Sequence, residues 1–192
     1  MTKPIGAIIL AAGFSSRFGS SKLLAELLNG KSVFQQTTDR IAEAFPNRIV
    51  ITRPEMTPQL QKLAKETPIL SFENADQGMG ATLAFAVQHI GDWEGCVVCL
   101  ADMPFIETST YQRIAKQVTV DSIVTPIFDS RVGNPVAFGR RYFADLAALT
   151  GDSGGRGLTN KYPKAVRALQ VTDPGILQDI DTPGELARYQ DA

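Results

Sequence analysis

The sequence predicts a three-layer α/β/α fold, in which helices cover both faces of a mostly parallel β-sheet. Two observations favour this class. Short apolar runs typical of buried strands alternate with helical patterns throughout the first half of the chain, and this alternation is typical of β-α-β units. The second half keeps strand-like runs but is less regular, so we expect one strand there to run antiparallel.

The predicted strands are continuous apolar runs bounded by polar or glycine-containing segments. The first begins at Ile5 and the fourth at Gly95. In order, the strands cover residues 5–11, 48–52, 68–72, 95–100, 122–126, 135–138 and 165–171.

The predicted helices have apolar residues at helical spacing. Phe34, Ile41 and Phe45 mark the first, and Leu83 and Val87 share one face of the third. In order, the helices cover residues 32–45, 56–66, 80–90 and 140–149. No repeat or low-complexity linker marks a boundary, so we expect one domain over residues 1–192, with halves of about 1–104 and 105–192.

Composition excludes several classes of protein. The chain has 192 residues, 44% of them hydrophobic, and a net charge of −1, so no broad attraction to nucleic acid or anionic membranes is expected. Its apolar runs fall short of the ~20 residues that a membrane span needs. The N-terminus leads directly into a strand, without the apolar region of a signal peptide. We expect a cytoplasmic protein.

Cys96 and Cys99, the two cysteines, are spaced C-x-x-C, which invites a redox or zinc interpretation. They lie on a predicted buried strand, where residues three apart point to opposite faces. Zinc would need further ligands, and His89 is the single histidine of the chain. We interpret both cysteines as small buried apolar residues.

Ligands of such sheets bind beyond the carboxyl ends of the strands. The informative loops are therefore those at residues 13–22, 76–82, 102–104 and 179–182. The first contains small residues, which let backbone approach a phosphate closely, and two cations, Arg17 and Lys22. Its glycine spacing fits neither a Walker A loop nor a dinucleotide-binding fingerprint. A solvated Gly/Ser loop with incidental cations is the alternative.

The run from Leu10 to Lys22, Leu-Ala-Ala-Gly-x-Ser-x-Arg-x-Gly-x-x-Lys, resembles the signature of the NTP transferases with the MobA-like fold. This resemblance implies a Rossmann-like sheet of the nucleotide-diphospho-sugar transferase type. It also implies that the loop wraps a triphosphate, that Arg17 holds the β- and γ-phosphates, and that Lys22 contacts phosphates near the reacting phosphorus. The nucleotide-binding residues implied are Leu10, Ala11, Ala12, Gly13, Ser15, Arg17 and Lys22.

Asp102 follows the fourth strand in Leu-Ala-Asp-Met-Pro. A carboxylate there is well placed for Mg²⁺, which commonly takes one or two carboxylates and completes its shell with phosphate oxygens and water. The segment is similar to the metal-binding segment of the same family, which implies that Asp102 is a catalytic metal ligand. An Asx turn or a helix cap is the alternative.

Asp181 lies in Asp-Ile-Asp-Thr-Pro near the C-terminus. A similar segment in the molybdenum-cofactor branch of the family implies that Asp181 is a second metal ligand. Asp181 or Thr182 is equally placed to cap the last helix, with Pro183 at its first position.

The segment from Asp76 to Leu83 resembles the Gln-Gly-Met-Ser-x-Ser-Leu segment of molybdenum cofactor cytidylyltransferases. By that resemblance Gln77, Gly78, Gly80 and Thr82 contact the nucleotide, although Gly80 and Thr82 replace two serines. A plain helix start is the alternative.

Two later segments imply an acceptor site made of Asn134, Asp152 and Arg156. They are similar to the Gly-His-Pro-x-x-Phe-x-Arg and Gly-Asp-x-Gly-x-Arg-x-Leu runs of the same branch. Asn134 stands where the family has histidine, and an amide gains no charge near neutral pH. Arg140 and Arg141 are expected to be surface helix residues.

The resemblance therefore implies Mg²⁺-dependent transfer of CMP from CTP to molybdopterin, with release of pyrophosphate. Ala12 stands where guanylyl-specific relatives tend to carry glycine, which favours a pyrimidine. The alternatives are a guanylyltransferase of the same family, transfer to a sugar phosphate or another small phosphorylated acceptor, and a nucleotide-binding accessory or chaperone protein for molybdenum enzymes. The expected partners are the NTP, the acceptor and a molybdenum enzyme or its chaperone.

Overall fold

A computed structural model describes residues 3–14, 18, 21–64 and 66–190 of the chain. Its strands form one eight-stranded sheet. They are β1 Ile5–Leu10, β2 Arg48–Thr52, β3 Ile69–Ser71, β4 Gly95–Leu100, β5 Ile123–Phe128, β6 Arg131–Val132, β7 Val136–Gly139 and β8 Val166–Gln170.

The strand order is β3-β2-β1-β4-β7-β5-β6, and β8 also pairs with β5. Strands β1 to β4 pair in parallel, as do β5 and β8. The predicted antiparallel strand is β7, which lies between β4 and β5. The short strand β6, which was not predicted, is also antiparallel to β5. Asp129 and Ser130 form the two-residue turn between β5 and β6, and both have positive φ. A type I′ hairpin turn requires positive φ at both of its central residues.

The helices are α1 Val33–Ala44, α2 Thr57–Leu63, α3 Met79–Val87, α4 Thr108–Gln117, α5 Phe143–Ala147, α6 Arg156–Lys161 and α7 Pro183–Gln190. Helix α1 begins at a capping box, in which the Ser32 hydroxyl accepts from the Gln35 backbone and the Gln35 side chain accepts from Ser32 N–H. The predicted helix at 140–149 is shorter than expected, because a 3-10 turn at Arg140–Tyr142 precedes α5.

Two hydrophobic cores lie on opposite faces of the sheet. Ile9 and Cys99 belong to one, and Ile8 and Cys96 belong to the other. This alternation confirms that the two cysteine sulfurs diverge. Both thiols are free and buried, and burial raises the pKa of each, so both are held in the unreactive protonated form.

None of the helices in the described ranges is long and apolar enough to cross a membrane. The carboxyl ends of β1 and β4 lie side by side, with Leu10 paired to Leu100. The loops that follow these two strands therefore begin at the same edge of the sheet.

Candidate functional site

A cleft of ≈ 400 Å³ opens at this edge of the sheet. It brings together residues from the loops after β1 and β4, the start of α3, the 150–153 loop and the segment before α7. The lining residues are Leu10, Ala11, Ala12, Gly13, Phe14, Lys22, Leu23, Ala75, Gly78, Met79, Thr82, Leu100, Asp102, Asp152, Asp179 and Asp181.

Lys22 lies at the centre of the charged groups of the cleft. Its Nζ is 2.6 Å from Asp102 Oδ2 and 2.7 Å from Asp181 Oδ1. The side chains of all three residues are largely buried, with exposed fractions of 13%, 17% and 22% respectively. Three residues predicted from separate motifs therefore meet at one point.

Backbone contacts account for this convergence. Asp102 is the second residue after β4, and its carbonyl accepts a hydrogen bond of 3.0 Å from Ile180 N–H. That bond fastens the segment before α7 to the end of β4, which places Asp181 beside Asp102. Lys22 is the first residue of a 3-10 turn that ends the loop after β1.

The electrostatics of the cluster depend on burial. Burial lowers the pKa of Lys22, but attraction to Asp102 and Asp181 outweighs this and holds that pKa above its ordinary value. Burial also raises the pKa of Asp102, and the neighbouring ammonium opposes that rise. A charged Asp102 therefore needs a cation beside it.

Thr182, rather than Asp181, caps α7. Glu185 N–H donates to the Thr182 hydroxyl at 3.2 Å, and the Glu185 carboxylate accepts from the backbone N–H groups of Asp181 and Thr182 at 3.0 and 2.9 Å. This is a capping box. The Asp181 side chain contacts Lys22 instead.

The donor set fits a divalent cation. Two carboxylates converge on one positive group, the Lys22 ammonium, which serves as a stand-in for a metal ion. Oxygen ligands of this kind suit Mg²⁺ or Mn²⁺. Among the described residues, no group of three or more His, Cys, Asp or Glu side chains could hold a metal ion. Mg²⁺ commonly needs one or two protein carboxylates and completes its shell with phosphate oxygens and water.

Gly78 and Gly80 connect the two halves of the chain. A Cβ on Gly78 would lie 2.4 Å from Asp152 Oδ1, and one on Gly80 would lie 2.8 Å from Gly151 O. Gly80 N–H donates to that same Gly151 carbonyl at 2.7 Å. Of the predicted nucleotide contacts in this segment, Gly78 and Thr82 line the cleft, whereas exposed Gln77 and buried Gly80 do not.

Gly78→Ala is expected to lower the free energy of unfolding by about 2 kcal/mol, because Gly78 has a φ of +102° and no room for a Cβ. Urea denaturation measures this. Gly91→Ala is the matched control, since Gly91 also has positive φ but no heavy atom within 4 Å of a built Cβ. Equal losses in the two variants would contradict the close packing against residues 151–152.

Arg53, which sequence reasoning missed, supports the loop after β1. It directly follows β2, and its guanidinium donates to Gly13 O and lies 4.8 Å over the Phe14 ring. The position of Arg53 directly after a predicted strand could have indicated a role at this edge of the sheet, but Arg53 belongs to no recognised motif.

The backbone N–H groups of Ala12, Gly13 and Phe14 have no hydrogen-bond acceptor among the described residues.

Of the predicted acceptor residues, Asp152 lines the cleft, whereas Asn134 and Arg156 do not. Asn134 is half-buried, with its N–H donating to Ile176 O at 2.9 Å, and Arg156 is exposed at the start of α6. Ser15 and Arg17 lie outside the described residues, so their roles stay predictions.

The chain is similar to known proteins in both sequence and structure. The sequence model of the MobA-like NTP transferase domain matches residues 7–166. The crystal structure of Rv0371c from Mycobacterium tuberculosis H37Rv superposes with a TM-score of 0.89 at 27% identity, covering 100% of both chains. Its complex with manganese superposes with a TM-score of 0.85 at 25% identity, again over 100% of both chains.

The named relatives differ in how much of their own length the chain covers. Molybdenum cofactor guanylyltransferase from Vibrio cholerae is 28% identical over 191 residues, 95% of this chain and 89% of that protein. The bifunctional protein GlmU from Buchnera aphidicola is 25% identical over 143 residues, or 73% of this chain. The match covers 30% of the length of GlmU.

Proposed function

Since this chain belongs to the MobA-like NTP transferase family, we propose that it is a nucleotidyltransferase, which transfers CMP from CTP to molybdopterin with Mg²⁺ bound at Asp102. The observation that carries the proposal is the meeting of Lys22, Asp102 and Asp181 in one cleft. Asp102 and Asp181 would hold the ion.

The charges of the cleft favour entry of the nucleotide together with a divalent cation. Four carboxylates and one ammonium group line its described part, so a bare triphosphate would be repelled. When bound, the cation neutralises charge on phosphate oxygens. Manganese in the complex of Rv0371c supports the use of a divalent ion in this fold.

The residues of the chain then bind and orient the reactants. The backbone N–H groups of Ala12, Gly13 and Phe14, which have no acceptor within the described ranges, offer donors to the phosphates. Lys22 offers a positive charge on a flexible side chain. An acceptor phosphate oxygen attacks the α-phosphorus, the bond to the bridging oxygen breaks, and pyrophosphate leaves. The rate enhancement comes from alignment of the two reactants and from stabilisation of the charge that develops on the phosphates, so no protein nucleophile is needed.

Pyrophosphate release with molybdopterin as acceptor tests the proposal. CTP is expected to give a kcat/KM about tenfold or more above GTP, since a single lost base contact costs roughly 1.4 kcal/mol. Reactions without acceptor, and with a sugar 1-phosphate in place of molybdopterin, are the controls.

Guanylyl transfer is the second candidate, because the relative from Vibrio cholerae is a guanylyltransferase. A clear preference for GTP would assign that activity instead. If pyrophosphate is released with the sugar 1-phosphate but not with molybdopterin, the acceptor is a sugar phosphate. NTP binding without turnover on any acceptor would favour the accessory-protein alternative.

A further inference from the structure

Arg53 contacts the loop after β1 but does not line the cleft. Its side chain is 16% exposed. The guanidinium nevertheless makes two contacts with the loop, a hydrogen bond to Gly13 O and the approach to the Phe14 ring.

The first contact fixes the orientation of a peptide group. In a planar trans peptide the C=O and the following N–H point in opposite directions. Because Gly13 C=O points to Arg53, the N–H of Phe14 points away from Arg53. Gly13 and Phe14 themselves line the cleft, and Phe14 N–H has no acceptor among the described residues.

We propose that Arg53 is a positioning residue for the triphosphate, an inference that rests on the proposed nucleotide-binding function. By holding Gly13 O on the outer side of the loop, Arg53 presents Phe14 N–H to a phosphate oxygen in the cleft. The cation–π contact between Arg53 and the Phe14 ring also restrains the Phe14 side chain.

Arginine is suited to this role and lysine is not. The planar guanidinium offers donors in a fixed fork and stacks on an aromatic ring, whereas an ammonium is a point charge on a flexible stem. Within the described ranges, the Arg53 side chain also pairs with Glu55, at 3.6 Å and with the Glu55 side chain 74% exposed. An ion pair this exposed contributes little, which makes Glu55 a suitable control position.

The test compares Arg53→Met, Arg53→Lys and Glu55→Gln. Calorimetry with pyrophosphate and Mn²⁺ probes the phosphate site directly, and steady-state kinetics separates KM for the NTP from kcat and from KM for the acceptor. Arg53→Met is expected to weaken pyrophosphate binding about tenfold, as for loss of one hydrogen bond to a charged group. It should raise KM for the NTP in parallel and leave KM for the acceptor unchanged.

Arg53→Lys should recover part of the affinity, and Glu55→Gln should bind as the wild type does. Wild-type affinity in Arg53→Met would overturn the proposal, and so would full recovery in Arg53→Lys, because charge alone would then suffice. Failure of the wild-type protein to bind pyrophosphate or to use any NTP would instead reject the proposed function, and the role of Arg53 would fall with it.

Discussion

Asp102→Asn is expected to lower kcat of nucleotidyl transfer by at least about 10³-fold, because loss of the proposed metal ligand would remove several kcal/mol of charge stabilisation. The substitution keeps the shape of the side chain and leaves the backbone bond from Ile180 N–H to Asp102 O in place. Lys22 also retains Asp181 as a partner. The fold should therefore survive, as circular dichroism and thermal melting would show.

Asp179→Asn is the matched control for this prediction. Asp179 lines the same cleft and carries the same charge, and it is close enough to help raise the pKa of Asp102. Its variant should retain most of the wild-type kcat. Wild-type turnover in Asp102→Asn would remove Asp102 from the site, and an equal loss in both variants would mean that the net charge of the cleft matters rather than one ligand.

Lys22→Ala should lower kcat by roughly 10²–10³, the scale seen when one electrostatic stabiliser is lost. The same variant should bind Mn²⁺ more tightly than the wild type when no nucleotide is present. The reason is that the ammonium lies between the two carboxylates expected to hold the ion, and so competes with it. Steady-state kinetics and electron paramagnetic resonance of Mn²⁺ measure the two effects.

Lys31→Ala is the control for Lys22→Ala. Lys31 pairs with Asp39 at 2.8 Å, a similar contact that lies outside the cleft lining. The Lys31→Ala substitution should change neither kcat nor Mn²⁺ binding. An unchanged kcat in Lys22→Ala would reject its catalytic role, and weaker Mn²⁺ binding would reject the competition between ammonium and metal.

The strands that position the site could be predicted because burial dominates their sequences. Residues 48–52 and 95–100 were predicted with the bounds that β2 and β4 have. A strand buried on both faces is apolar at successive positions, and the short length of these runs favours a strand over a helix. The divergence of Cys96 and Cys99 followed from the same alternation.

Helix α4 was not predicted because its buried face is partly polar. Thr110, Tyr111 and Ile114 are its buried residues, and a buried threonine breaks the apolar periodicity. Strand β6 was missed because it has two residues, both exposed. Its existence depends on the turn at Asp129 and Ser130 rather than on hydrophobicity.

Family motifs singled out Lys22, Asp102 and Asp181 separately, although Asp102 and Asp181 lie 80 and 159 residues after Lys22. Their direct contact is seen in the folded protein. The role of Arg53 could not be found in this way, since it contacts a loop carbonyl and an aromatic ring that mark no motif. Gly80 shows the opposite case. Its motif predicts a nucleotide contact, but the close approach of Gly151 O already requires a glycine there.

A crystal structure of the protein with CTP and Mn²⁺ would show the ion, the phosphates and the lysine together. The expected result is an ion coordinated by Asp102 and by phosphate oxygens, with Lys22 Nζ moved from the carboxylates to the triphosphate. A nucleotide bound outside the cleft, while Lys22 still bridges Asp102 and Asp181, would contradict the account.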